Sequence, residues 1–263
     1  MADSLAGELA GLALAAGEGR RLRPLTSLRP KPLCPVGDRA LLDWALDALD
    51  GAVDEIAVNL HHGAEAIDAH LAQRSDAAGD AVGAAVHRSF ERDEALGTAG
   101  AVARLRGWLD GRGVLIVNAD TWHRTDLAAF AHGWDGERVR LLTDTALPFG
   151  PRSGVVASIL PWHLARRLEE RPSGLWECVW RDELDGGRLD AVHEPGRVID
   201  CGTPAAYLRA NLEWSGGRSV LGAGALVEGR VERSVVWPGG RVHPGEVLID
   251  TIRTDSRTTV MVR

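Results

Sequence analysis

The 263-residue sequence predicts an α/β fold, a mostly parallel Rossmann-like sheet flanked by helices, followed by a short C-terminal left-handed β-helix of hexapeptide coils. Three observations predict it. Apolar runs of strand length alternate with amphipathic stretches through residue 145. A glycine-broken, strongly basic loop follows the first of those runs. After residue 216, aliphatic residues recur every six positions among glycines and small residues.

Taken in order, AGLALAA (10–16), EIAVNL (55–60), GAAVHRSF (83–90), VLIVNAD (114–120) and RVRLLTDT (138–145) are strand-length runs. Between them ALLDWALDALD (40–50), AEAIDAHLA (64–72), TAGAVARLRGWL (98–109) and LAAFAHGW (127–134) place apolar residues at helical spacing. Such alternation implies a parallel sheet covered on both faces, whose ligands sit beyond the carboxyl ends of the strands. GVVASILP (154–161) reads as a further strand, WHLARRLEE (162–170) as a helix and RVIDCG (197–202) as a strand. TPAAYLRANLEW (203–214) begins with a Thr N-cap and Pro at the first helical position. In the tail the six-residue spacing runs from Leu221 to Val227, and then through Val236, Val242 and Leu248. Two or three coils fit, too few to stand alone. The expected division is therefore 1–216 and 217–263, and the incomplete tail gives a homodimer as the expectation.

Composition excludes several classes. A net charge of −7 argues against a general nucleic-acid binder, which needs a basic surface. No run reaches the roughly 18 apolar residues of a membrane helix. The N-terminus has an apolar run but no basic segment before it, and it carries Asp3 and Glu8, so a strand is preferred to a signal peptide. Cys34, Cys178 and Cys201 lack metal-ligand spacing and read as reduced packing residues of a cytoplasmic protein. The histidines, His61, His62 and His123 among them, form no zinc-type pattern. A hexapeptide acyltransferase would need many more coils, despite His243 in the tail.

The basic loop points to phosphate. Residues 18–31 hold five positive charges and one negative, Glu18, in an otherwise acidic chain. Gly17 and Gly19 allow a sharp turn that aims N–H groups at an anion. Arg20, Arg21 and Leu22 follow where a dinucleotide fingerprint needs small residues, and no G-K-[ST] follows as in a P-loop. Of the 30 basic residues 29 are arginine, and Lys31 is the only lysine.

The longer string, L-A-A-G-x-G-x-R-L-x-P-L-T from Leu14 to Thr26 with P-K-P-L at 30–33, resembles the sugar-1-phosphate nucleotidyltransferases. ALGTAGAV (95–102), VNAD (117–120), IDCGTPAAYLRAN (199–211) and the hexapeptide tail match in the family's order, across nearly the whole chain. The resemblance implies the nucleotidyltransferase fold and transfer of a nucleotidyl group from a nucleoside triphosphate to a sugar-1-phosphate. It places Arg21 on the leaving phosphates and Lys31 near the α-phosphate. Leu14, Ala15, Gly17 and Gly19 fall to the nucleotide, with Ala95, Gly97 and Thr98 facing them. Asp120 and Asp200 are implied as ligands of Mg²⁺, Asp120 being also catalytic. Residue chemistry agrees, since a guanidinium grips two oxygens in a fork, an ammonium is a compact charge, and Mg²⁺ takes few protein ligands. On the residues alone, Thr98 equally suits a helix N-cap, and Trp122 a ligand stack.

One departure stands out. The family's E-K-P segment, whose lysine holds the sugar phosphate, is missing, and Arg152 beside Gly154 is the expected substitute. The short bacterial mannose-1-phosphate guanylyltransferase and N-acetylmuramate-1-phosphate uridylyltransferase group is the nearest in pattern, with the guanylyl type preferred for its β-helix tail. A cyclitol- or heptose-1-phosphate acceptor stays open, as does a non-catalytic nucleotide-sugar-binding regulator on the same fold.

Overall fold

A computed structural model of the chain describes residues 9–78, 86–144, 148–193 and 198–262. The first eight residues and the beginnings or ends of the runs expected at 83, 145 and 197 lie outside that set. The chain divides into two units, one from 1–17, 45–119 and 123–198, the other from 18–44, 120–122 and 199–263.

The first unit is built on seven strands: β1 (Leu9–Leu14), β2 (Ile56–Leu60), β3 (His87–Phe90), β4 (Gly113–Asn118), β5 (Val139–Thr143), β6 (Val155–Leu160) and β7 (Leu189–His193). Their order is β7-β5-β6-β4-β1-β2-β3. Only β6 runs antiparallel to its neighbours; every other pair is parallel. All residues of β2 are buried, as are the first five of β1 and of β4, which explains their near-continuous apolar character. Leu12, Val114, Ile116, Leu141 and Leu160 form one core with Ala99, Val102 and Leu105.

Helices α1 (Leu41–Asp50), α2 (Ala64–Ala78) and α3 (Gly97–Arg104) fall where helical spacing predicts them. The expected helix at 162–170 shrinks to Trp162–Ala165. A five-residue π-turn, Trp176–Trp180, leads instead into Arg181–Asp185. Strand β7 has no counterpart among the sequence expectations; it is an edge strand with no fully buried residue, so no apolar run announces it.

The second unit begins with three tight turns, Arg20–Leu22, Leu25–Ser27 and Lys31–Leu33. A two-residue antiparallel ladder pairs Trp122 with Ile199 and Thr121 with Asp200. Helix α4 (Pro204–Ser215) follows, with Thr203 accepting from the Ala206 N–H and Gly216 closing it in the left-handed region. Leu22, Leu25, Trp122, Tyr207, Trp237 and Ile252 are buried together. Trp237 Nε1 donates to the Tyr207 hydroxyl at 2.9 Å.

Beyond α4 the chain winds through parallel pairs, Val220 with Val235, Leu226 with Arg241, Arg230 with Val247 and Val235 with Ile252. Val236, Val242 and Leu248 are buried together and Val227 packs on them, as the six-residue series expects. The series fails at its first member. Leu221 is exposed and its neighbour Val220 is buried. Strand Thr259–Met261 closes one ladder by pairing antiparallel with Thr251–Arg253.

Cys34 and Cys201 are buried, and burial pushes both thiols up to about 12, so they are inert packing groups. Cys178 is exposed, which corrects its reading as a packing residue. Among the described residues no helix is long and apolar enough to cross a membrane.

Candidate active site

In the second unit three distant segments meet at one ammonium. Lys31 Nζ donates to Asp120 Oδ2 at 2.7 Å and to Asp200 Oδ1 at 3.1 Å. Arg21 Nη2 reaches Asp200 Oδ2 at 3.5 Å. Backbone pairing brings the carboxylates together. Asp200 is laddered to Thr121, and the Cys201 N–H donates to the Asp120 carbonyl at 3.2 Å. Lys31 is itself only 4% exposed, whereas the Arg21 side chain is 74% exposed and that of Asp200 55%. Burial works against the Lys31 charge, but the charge and hydrogen bond of Asp120, then those of Asp200, more than offset it and raise its pKa above the ordinary lysine value.

Two glycines make room for this centre. Gly19 has φ 66°, and a Cβ there would stand 2.9 Å from Thr26 Cγ2 and 3.1 Å from Lys31 Cβ. At Gly202 a Cβ would lie 2.9 Å from Arg21 Nη2 and 3.0 Å from Asp200 Oδ2. Glu18 pairs with Arg20 and with Arg23, while Arg21 goes to Asp200.

A different arrangement occupies the strand ends of the first unit. The Ala15 N–H donates to Asn59 Oδ1, Asn59 Nδ2 donates to Glu91 Oε1, and the Leu96 N–H donates to Glu91 Oε2, each at 2.8 Å. Asn59 and Glu91 are both 2% exposed. Sequence reading missed them. The signal was a polar residue inside the otherwise apolar run IAVNL, all five residues of which are buried. At Gly97 φ is 70°, and a Cβ would fall 2.5 Å from the Ser173 carbonyl oxygen. The Ser173 N–H donates to the Leu96 carbonyl, and the Leu175 N–H donates to Thr98 Oγ1 at 2.8 Å. The Thr98 hydroxyl therefore ties down the segment at 173–175, and the residue at the N-cap of α3 is Leu96.

That segment walls a cavity of roughly 290 Å³. Leu14 and Asn118 line it from the strand ends, Thr98 from the first turn of α3, Ser153, Val155 and Ser158 from β6 and its approach, and Trp176, Glu177 and Trp180 from the π-turn. Among the described residues no lysine or arginine lines it. Phe149 stands edge-on to both tryptophans, and the Trp180 indole N–H is buried with no partner among the described residues.

Other expected site residues fall as follows. Gly17 and Ala95 are exposed, and a Cβ at Gly17 would meet nothing within 4 Å. Arg152 is exposed and does not line the cavity, though Ser153 does. At Gly154 a Cβ would collide with the Asp144 carboxylate, 2.3 Å away. Trp122 is buried, edge-on to Trp44 with ring centroids 6.4 Å apart, so it is core and not a ligand platform. No group of three or more His, Cys, Asp and Glu is gathered for a metal among the described residues. Asp120 and Asp200, sharing one cation already, are two hard oxygen donors of the kind Mg²⁺ takes when waters and phosphates complete its shell.

The first unit thus carries a largely parallel α/β sheet, and the second carries a buried ammonium braced by two carboxylates. Residues 10–140, about half of the chain, match the nucleotidyl transferase family model, and the relatives that align with the chain are named sugar-1-phosphate nucleotidyltransferases. The N-acetylmuramate alpha-1-phosphate uridylyltransferase of Caulobacter vibrioides is 39% identical over 133 residues, 49% of this chain and 54% of that protein. This chain thus spans about half the length of that relative. The mannose-1-phosphate guanyltransferase of Neurospora crassa is 24% identical over 271 residues, 91% of this chain and 71% of its own. Among solved structures HddC from Yersinia pseudotuberculosis superposes with a TM-score of 0.61 at 19% identity, covering 78% of this chain and 99% of its own, a likeness of fold.

Proposed function

We propose that the protein is a sugar-1-phosphate nucleotidyltransferase. In the reaction a sugar-phosphate oxygen attacks the α-phosphorus of a nucleoside triphosphate in line, a new P–O bond forms as the α–β bridge breaks, and pyrophosphate leaves. The observation that carries this reading is the buried Lys31 ammonium held between Asp120 and Asp200 with Arg21 alongside. Two polyanions repel, so the catalyst must chiefly supply positive charge and alignment. Lys31 supplies a compact charge of fixed position at the α-phosphate, and the exposed Arg21 fork takes the leaving phosphates. Asp120 and Asp200 would hold Mg²⁺, which neutralises phosphate charge when bound. Leu14, Ala15, Gly17, Gly19, Ala95, Gly97 and Thr98 form the nucleotide-binding set in this reading.

The cavity beside Trp176 and Trp180 suits the sugar ring. Aromatic walls take its C–H faces, while Glu177 and the hydroxyls of Thr98 and Ser153 meet its hydroxyl groups. With no cation among its described lining residues, it leaves the sugar phosphate to Arg152 beside Gly154. We assign the catalytic part to residues 1–216 and read the ladders of 217–263 as a short left-handed β-helix. The exposed Leu226, Val247, Ile249 and Met261 support a homodimer through that tail, which the mass in solution tests.

Mannose-1-phosphate guanylyl transfer is the type we favour, supported by the relative that aligns with 91% of this chain. The 39% identity to a uridylyltransferase supports the second reading, uridylyl transfer to another sugar-1-phosphate. The deciding experiment is a grid of nucleoside triphosphates against sugar-1-phosphates with Mg²⁺, scored by pyrophosphate release. Turnover on one guanylyl or uridylyl pair is expected. Silence across the grid would overturn the enzymatic reading and leave a nucleotide-sugar-binding regulator.

A further inference from the structure

The buried Asn59–Glu91 pair carries an inference beyond the roles just described, resting on that reading only in taking the segments at 14–17 and 95–98 as nucleotide-binding. We infer that Asn59 and Glu91 are positioning residues, a directed polar clasp that holds these two backbone segments in one register and so sets nucleotide affinity.

The clasp has a single sense. Ala15 N–H needs an acceptor, which fixes the Asn59 carboxamide with Oδ1 toward residue 15 and Nδ2 toward residue 91. Glu91 then meets a donor on each oxygen, Asn59 Nδ2 on Oε1 and Leu96 N–H on Oε2. Reversing the amide would set donor against donor at Ala15, so the chain of bonds admits one arrangement. The main chain at 91 is held separately: its N–H donates to the Leu60 carbonyl at 2.8 Å, and His61 Nδ1 lies 2.7 Å from its carbonyl oxygen. The Glu91 side chain is therefore free of the task of pairing β2 with β3 and spends both oxygens on register. It also ends at Leu96, just before Gly97 opens α3, where carboxylate charge favours the helix N-terminus. A fully satisfied buried network specifies one geometry, whereas apolar residues of similar volume would give burial without direction.

Because the Ala15 and Leu96 N–H groups are both committed to the clasp, neither donates to a bound nucleotide. They shape its site by where they hold the chain.

The test is a polarity swap read by nucleotide binding. Glu91→Gln sets an amide donor against Asn59 Nδ2 or the Leu96 N–H, and Asn59→Asp sets two carboxylates against each other. The double variant Asn59→Asp/Glu91→Gln restores every bond. Ala15 N–H then donates to the carboxylate at 59, the amide at 91 donates to its other oxygen, and the carbonyl at 91 accepts from Leu96. Net charge is unchanged. Titrating purified protein with the triphosphate used by the wild type, each single variant should weaken binding by about tenfold and the double should return to within about threefold of wild type, a large coupling for adjacent sites. KM for the sugar-1-phosphate should move less than about twofold in all three. A purely structural role would lower and then restore the melting temperature while leaving the affinity of the folded protein unmoved, and that result overturns the inference. So does a double variant that fails to fold or binds no better than the singles. A wild type that binds no triphosphate would instead sink the functional reading itself.

Discussion

The Lys31 centre and the Asn59–Glu91 clasp hold strand-end loops by opposite means. At Lys31 a buried cation is shared by two carboxylates that stay open to solvent. Its partners come from positions 89 and 169 residues away, and formal charge does the assembling. The clasp is buried throughout, gathers residues from three neighbouring strands or their ends, and works by donor–acceptor direction. The difference teaches where each kind of function resides. In the proposed reading, a centre that receives polyanions keeps its acids and Arg21 open to solvent. A frame that must not move satisfies every polar atom internally.

This contrast is open to test. Asp120→Ala should lower kcat for pyrophosphate release by on the order of 10²–10³, the loss typical of one preorganised electrostatic group, with the circular-dichroism spectrum preserved. A loss of fold instead of rate would make the charge centre a scaffold like the clasp. Gly97→Ala acts on the framework side. With φ 70° and the Ser173 carbonyl 2.5 Å from the new methyl carbon, denaturant unfolding should show about 2–3 kcal/mol of destabilisation.

A smaller effect comes from His123, which is buried, and burial lowers its pKa to about 4. An unfolded histidine titrates near 6.5. The unfolded state therefore binds a proton first, so the stability due to His123 is full above pH 6.5 and is lost as pH falls toward 4. Unfolding free energy should drop by about 1.4 kcal/mol per pH unit in that window, and His123→Asn should flatten this part of the profile. The smallest effect belongs to Arg152→Ala. A roughly threefold to tenfold rise in KM for the sugar-1-phosphate, with kcat nearly unchanged, is the signature of lost ground-state binding. No change in KM would remove Arg152 from the sugar-phosphate role.

What was legible in the sequence follows from the same contrast. The strands β1, β2 and β4 announce themselves because they are buried on both faces, and apolar runs of that kind have few other readings. Lys31, Asp120 and Asp200 stood out in the sequence through the family resemblance of their motifs, and the structure brings these three side chains into contact. The clasp was not, since Asn59 and Glu91 lie 32 residues apart and nothing in either segment pairs them; only pairing of β2 with β3 brings them together. Strand β7 was hidden by its edge position, where Leu189, Asp190 and Ala191 are only half-buried and His193 is exposed. Trp122 misled because its neighbour Asp120 faces the site, while the ladder to Ile199 turns the indole into the core. In the tail, spacing gave the inward positions Val236, Val242 and Leu248 but failed at the first member, where Val220 and not Leu221 is inside.

The most direct test of the central claim is single-turnover pyrophosphate release by wild type and Lys31→Ala, on the best substrate pair from the grid and with folding checked by circular dichroism. A loss of about a hundredfold or more in the rate, with an unaltered spectrum, is the predicted result. Turnover within about threefold of wild type would contradict it, and Lys31 would then be a structural ammonium bracing two aspartates.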